Sequence, residues 1–187
     1  MARRFSRSGE DFPWWQSRPI VRNWDMTRSR QPEEGVVLLA DDREDDVILV
    51  REGFAHAGLN NPIYVVRDGE QTIQYLGGME KYADREKFPI PDLLLLDLKM
   101  PRIDGFEVLA WIRSQPDINT LRVVVLTSSA DVHDVNKAYR LGANSFLVKP
   151  MEFKDYSTLS RIMAKFWFEL SQTPSFRGAE RQGERQF

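Results

Sequence analysis

The chain has 187 residues, a formal net charge of −2 and no cysteine. That length suits one domain with a sizeable core plus loose ends, and the missing thiols exclude disulfides and thiolate metal sites. No apolar run nears the roughly 20 residues of a membrane-spanning helix, so a soluble, cytoplasmic protein is expected, with no membrane partner.

Residues 1–34 carry a net charge of +2, with arginines among Ser, Pro and Gln and with Phe12, Trp14, Trp15 and Trp24 at irregular spacing. Composition predicts a flexible N-terminal extension, although its tryptophans would also suit a docking peptide. Residues 35–171 sum to −5. A folded part of that sign is a poor footprint for nucleic acid, where a clustered basic face is expected. Within it, Val36-Val37-Leu38-Leu39-Ala40 reads as a first strand running into Asp41-Asp42. A helix follows, carrying Val47, Ile48, Val50 and Phe54 at helical period and stopping near Gly58. Pro62 to Val66 reads as a second strand, and Gly69 to Leu76 as a short helix ended by two glycines. The polar stretch from Met79 to Ile90 is predicted to be a surface excursion.

Pro91-Asp92-Leu93-Leu94-Leu95-Leu96-Asp97 drives a leucine run into a carboxylate. The run is too short for a typical helix and does not alternate, which suits a strand buried on both faces of a parallel sheet. Gly105 then opens a helix with Phe106, Val108, Leu109 and Ile112 on its apolar side. A strand from Leu121 to Leu126 meets Thr127. Asp131 is placed to cap a helix ending at Leu141-Gly142. Ser145-Phe146-Leu147-Val148 meets Lys149-Pro150, and a last helix reaches about Leu170, with residues 172–187 predicted to be a disordered C-terminal tail. Phe166-Trp167-Phe168 cannot all face one core, so at least one of these rings should be exposed or buried in a partner.

Five strands alternating with five helices predict an α/β, three-layer, doubly wound sheet. Ligands in such sheets sit at the carboxyl ends of the strands. Four strands here end in Asp41-Asp42, Asp97, Thr127 and Lys149. Taken singly, an aspartate there is explained by helix capping and a lysine by solvation. Together they compose one chemical site. Asp45-Asp46 reads as a solvated helix face, favourable near a helix N-terminus.

With these residues in order, the chain resembles the receiver domain of two-component response regulators over residues 35 to 170. Its short length, the long segment before Asp97 and the aromatic last helix look most like the small single-domain regulators associated with phytochromes. The resemblance implies a flavodoxin-like strand order of 2-1-3-4-5. It also implies Asp97 as phosphoacceptor from a sensor histidine kinase, with a phytochrome as the candidate kinase, and Thr127 and Lys149 as the catalytic side chains. Mg²⁺ would be held by Asp42, Asp97, the backbone carbonyl of Lys99 and, through water, Asp41. Thr127 and Phe146 would form the switch, and the bond before Pro150 would be cis. The output would be a partner contact or a homodimer through the fourth helix, fifth strand and fifth helix. Two other readings compete: a phosphorylation-independent scaffold of the same fold, and a Mg²⁺-dependent phosphohydrolase. The second needs a general acid two residues after its nucleophile, where this chain has Lys99.

Overall fold

The structure, a computed structural model, describes residues 34–171. The expected N-terminal extension and C-terminal tail lie outside the described residues, apart from Glu34. In chain order the elements are β1 (Val37–Ala40), α1 (Glu44–His56), β2 (Ile63–Val66), α2 (Gly69–Gly77), β3 (Leu93–Leu96), α3 (Gly105–Ser114), β4 (Arg122–Thr127), α4 (Val132–Arg140), β5 (Ser145–Val148) and α5 (Phe153–Ala164). All strand pairs are parallel, in the order β2-β1-β3-β4-β5. This is the expected doubly wound sheet, with the expected strand order.

The apolar runs lack alternation because both faces of the sheet are covered. Leu38, Leu94, Leu96, Val123 and Val125 pack with Ile73, Leu76, Val108, Leu109 and Ile112 in one layer. Val37, Leu39, Leu93, Leu95, Val124 and Leu126 pack with Val47, Val50, Phe54, Tyr156 and Met163 in the other. Adjacent residues of each central strand therefore serve opposite layers, the period-2 geometry of a pleated strand. Trp111 is buried in the first layer.

Local chemistry sets the helix ends. The Asp104 side chain accepts from Glu107 N at 2.8 Å while the Glu107 side chain accepts from Asp104 N at 3.0 Å, a reciprocal cap that opens α3 beneath β3. Asp131 caps α4, as expected, by accepting from His133 N at 2.7 Å. Gly142 follows α4 at φ +93, a left-handed conformation that favours glycine.

Two expectations change. The segment from Met79 to Ile90 is not merely a surface excursion. Tyr82 is buried and forms an aromatic group with Tyr75 and Phe88, at ring separations of 5.1 to 6.1 Å. Arg85 donates to the carbonyls of Tyr75 and Leu76 at the end of α2, where the helix supplies few backbone donors. The last helix reaches Leu170 but widens after Ala164 into a π-helical turn, Lys165–Leu170, closed by Ser171 N to Phe166 O at 2.8 Å. The wider turn turns Trp167 and Phe168 toward the second layer and leaves the Phe166 ring 50% exposed. Arg122 donates to the carbonyls of Trp167 and Ser171 and so anchors that turn to β4.

Candidate functional site

The carboxyl ends of β1, β3, β4 and β5 lie side by side, and hydrogen bonds from the residue just past one strand to the last residue of its neighbour extend the β1–β2, β3–β1 and β5–β4 pairings. Asp41 N donates to Val66 O at 3.0 Å, Asp97 N to Ala40 O at 2.9 Å, and Lys149 N to Thr127 O at 2.8 Å. The ladder thus continues into the four residues singled out by the sequence. Asp41, Asp97, Thr127 and Lys149 are all buried, and Asp42 is exposed at the mouth.

Asp41, Asp42 and Asp97 each offer a carboxylate oxygen, all within 4.8 Å of one another. Lys149 Nζ lies across β4 and reaches this cluster, 3.0 Å from Asp97 Oδ2 and 2.7 Å from Asp41 Oδ2. The first contact is a hydrogen bond. The second is the closer ion contact and holds the ammonium against the buried Asp41 carboxylate. Burial pushes the Asp41 carboxyl above its ordinary value, with Lys149 offsetting part of the rise. Burial alone would lower the Lys149 ammonium, but its contacts with Asp41, Asp46 and Asp97 more than reverse this, so the group stays charged. Three carboxylates this close together, two of them buried, form a set of hard oxygen donors that fits a small divalent cation.

The remaining expected residues are close by. Thr127 ends β4, and its Oγ1 accepts from Ser129 N at 3.4 Å. Lys99 N donates to Asp97 Oδ1 at 3.3 Å while the Lys99 side chain is exposed. Phe146 pairs with Val125 in the sheet register and packs, half-buried, against the first layer. The Lys149–Pro150 peptide is trans, which corrects the expected cis form. The trans isomer is the lower in energy for most X-Pro bonds, and the long lysine stem brings the ammonium to the cluster from it.

Sequence reasoning missed one residue of this site. Asp46, expected on a solvated face, is buried and accepts from Lys149 Nζ at 2.8 Å. The available signal was spacing: Asp46, Val50 and Phe54 fall four residues apart on one stripe of α1, and all three are buried.

A parallel 2-1-3-4-5 sheet with an acidic pocket and one lysine at its carboxyl end defines a class of signalling domain. Residues 37–160 match the response regulator receiver domain, and the chain belongs to that family. It is similar to the response regulator Rcp1 of Synechocystis, with 36% identity over 140 residues that make up 75% of this chain and 93% of that one. The solved structure of the phosphorylated cyanobacterial phytochrome response regulator RcpA superposes with a TM-score of 0.70 at 32% identity, covering 76% of this chain and 99% of that one. The Mn²⁺-bound form of Rcp1 superposes with a TM-score of 0.67 at 36% identity, covering 75% and 99%. Receiver domains bind a divalent metal at an acidic cluster, and Asp41, Asp42 and Asp97 make up that cluster here. No helix among the described residues is long and apolar enough to cross a membrane.

Proposed function

We propose that this chain accepts a phosphoryl group from a sensor histidine kinase onto Asp97 and passes the signal on through a contact made by α4, β5 and α5. The observation that carries this reading is the meeting of Asp41, Asp42 and Asp97 within 4.8 Å, with Lys149 Nζ 3.0 Å from Asp97. Asp97 is the nucleophile: a carboxylate oxygen bonds to phosphorus as the phosphorus–nitrogen bond of phosphohistidine breaks and its electron pair leaves on the imidazole. Asp42, Asp97, the Lys99 carbonyl and, through water, Asp41 would hold Mg²⁺, which would neutralise charge on the carboxylate and the incoming group. Lys149 adds a fixed positive charge 3.0 Å from Asp97. Thr127, one strand from Asp97, donates its hydroxyl to a phosphoryl oxygen.

The output follows from what Thr127 leaves behind. As it turns toward the phosphoryl group, the half-buried Phe146 ring moves into the freed space, and the face of α4, β5 and α5 changes. Phe146 has no hydroxyl, so packing alone separates its two positions. Between β5 and α5 lies a groove of about 310 Å³, edged by Asn144 and Ser145 and otherwise apolar through Leu147, Leu159, Ile162 and Phe166, with Ile162 63% exposed. Exposed apolar surface of this kind favours a second copy of the chain. The likeness to a phytochrome response regulator points to a phytochrome as the kinase.

The test is intact mass after incubation with Mg²⁺ and acetyl phosphate. One phosphoryl addition to the wild type and none to Asp97→Asn supports the reading. No addition to the wild type, or an equal addition to the variant, contradicts it.

A further inference from the structure

Asp46 occupies a position where helical periodicity asks for an apolar side chain. It lies on the inner stripe of α1 with Val50 and Phe54 and is only 9% exposed, whereas its neighbours Glu44 and Asp45 face solvent. A buried carboxylate costs several kcal/mol unless it is paired. Its close partner is Lys149 Nζ, 2.8 Å away, with Arg43 Nε 3.5 Å off on the exposed side. Favourable charge at a helix N-terminus does not explain this placement, because Glu44 and Asp45 supply it from the surface.

The contacts of Lys149 divide into two kinds. Asp41 and Asp97 belong to the three-carboxylate cluster, and Asp46 does not. Asp41 and Asp97 are thus wanted both by the lysine and by a divalent cation. Asp46 lies outside the cluster, and its closer cationic partner is the lysine, at 2.8 Å against 3.5 Å for Arg43. A cation entering the cluster also places like charge beside the ammonium, which would push Lys149 out of the pocket if nothing else held it.

We propose that Asp46 is a positioning residue that holds the Lys149 ammonium against α1 when the cluster carboxylates turn to a divalent cation, so that lysine and cation occupy the pocket together. The inference deepens the phosphoryl-transfer reading and rests on it for its purpose, since both positive charges are then in place before the phosphoryl group arrives. Without Asp46, Lys149 falls back on Asp41 and Asp97 and competes with the cation for them. The cost of losing Asp46 is therefore conditional on the presence of Lys149. A purely structural or long-range electrostatic role would carry no such condition.

The experiment is a double-mutant cycle on Mn²⁺ affinity, read from the electron paramagnetic resonance signal of free Mn²⁺, with circular dichroism establishing that each protein is folded. The proteins are the full-length wild type, Asp46→Asn, Lys149→Met and the double variant. Asp46→Asn keeps the shape and one acceptor oxygen, so the fold is expected to survive. The expected result is an affinity about tenfold lower for Asp46→Asn than for the wild type, and a loss under about twofold when the same change is made in Lys149→Met, a coupling of the size found for contacting residues. An equal loss in both backgrounds overturns the proposal in favour of simple charge loss, and no loss in either overturns it outright. If Asp46→Asn does not fold, Asp46→Ser takes its place in the cycle under the same criteria. Acetyl phosphate labelling of the wild type separates the two claims. Labelling without coupling sinks the role of Asp46 alone, and coupling without labelling sinks the phosphoryl-transfer reading alone.

Discussion

Gly105→Ala tests how closely α3 must approach the end of β3, where Asp97 stands. A Cβ built at Gly105 falls 2.8 Å from Leu98 Cα and closer still to the Asp97 backbone oxygen. Carbon atoms in good contact sit about 3.5–4.0 Å apart, so the start of α3 would have to retreat by roughly 1 Å. Both obstacles are backbone atoms in the loop that carries Asp97, and neither has a rotamer to escape into. The retreat also strains the hydrogen bond from Gly105 N to Leu98 O, now 3.0 Å. Alanine returns at most about 1 kcal/mol through helix propensity. Overpacking costs about 1–3 kcal/mol and a weakened hydrogen bond about 1 more. The expected net loss is about 1–3 kcal/mol, or a Tm lowered by roughly 2–12 °C, with slower acetyl phosphate labelling because the Asp97 carbonyl shifts. Thermal circular dichroism and timed intact-mass measurements read both. A Tm at or above that of the wild type with an unchanged labelling rate would refute the reasoning.

Further outcomes are expected elsewhere in the molecule. Arg122→Ala removes the donors to the Trp167 and Ser171 carbonyls, which should cost about 1–3 kcal/mol in urea unfolding and alter the near-ultraviolet tryptophan signal; unchanged stability and signal would contradict the anchoring role. Ile162→Glu places a charge in the exposed apolar groove and should weaken self-association about tenfold or more in sedimentation equilibrium, whereas an unaltered association would remove this face as the dimer surface. Burial pushes the Tyr156 phenol above its ordinary value of 10.0. The unfolded chain then ionises it first, so its contribution to stability is whole below that pH and is lost as pH rises through the unfolded and then the folded value. Absorbance at 295 nm, wild type minus Tyr156→Phe, should titrate above pH 10, and a difference that titrates at or below it would refute the shift.

The strands were legible because a strand buried on both faces leaves an unbroken apolar run, and Leu93–Leu96 between two layers is such a strand. The site was legible because each run ends on a residue of distinct chemistry, and a doubly wound sheet gathers those ends in one place. What failed was context that no local pattern encodes. Asp46 sits in a run of three acidic residues that reads as helix-terminal charge, and only its partner 103 residues away gives it a second meaning. Tyr82 and Phe88 lie in a polar stretch, where single aromatics look incidental until Tyr75 supplies their neighbour. The π-helical turn depends on Arg122, which draws two carbonyls toward β4 from the far end of the chain. At Pro150 the resemblance predicted a cis bond where the structure has a trans one.

The central claim is that the buried cluster takes a phosphoryl group on one particular carboxylate. Borohydride reduction of the chain after incubation with acetyl phosphate and Mg²⁺ converts an acyl phosphate to an alcohol, and tandem mass spectrometry of the peptides then locates it. The account predicts a single site, homoserine in place of Asp97, appearing only when the divalent cation is present. Reduction at Asp41, Asp42 or Asp46 instead, or at Asp97 equally well in chelator, would contradict it.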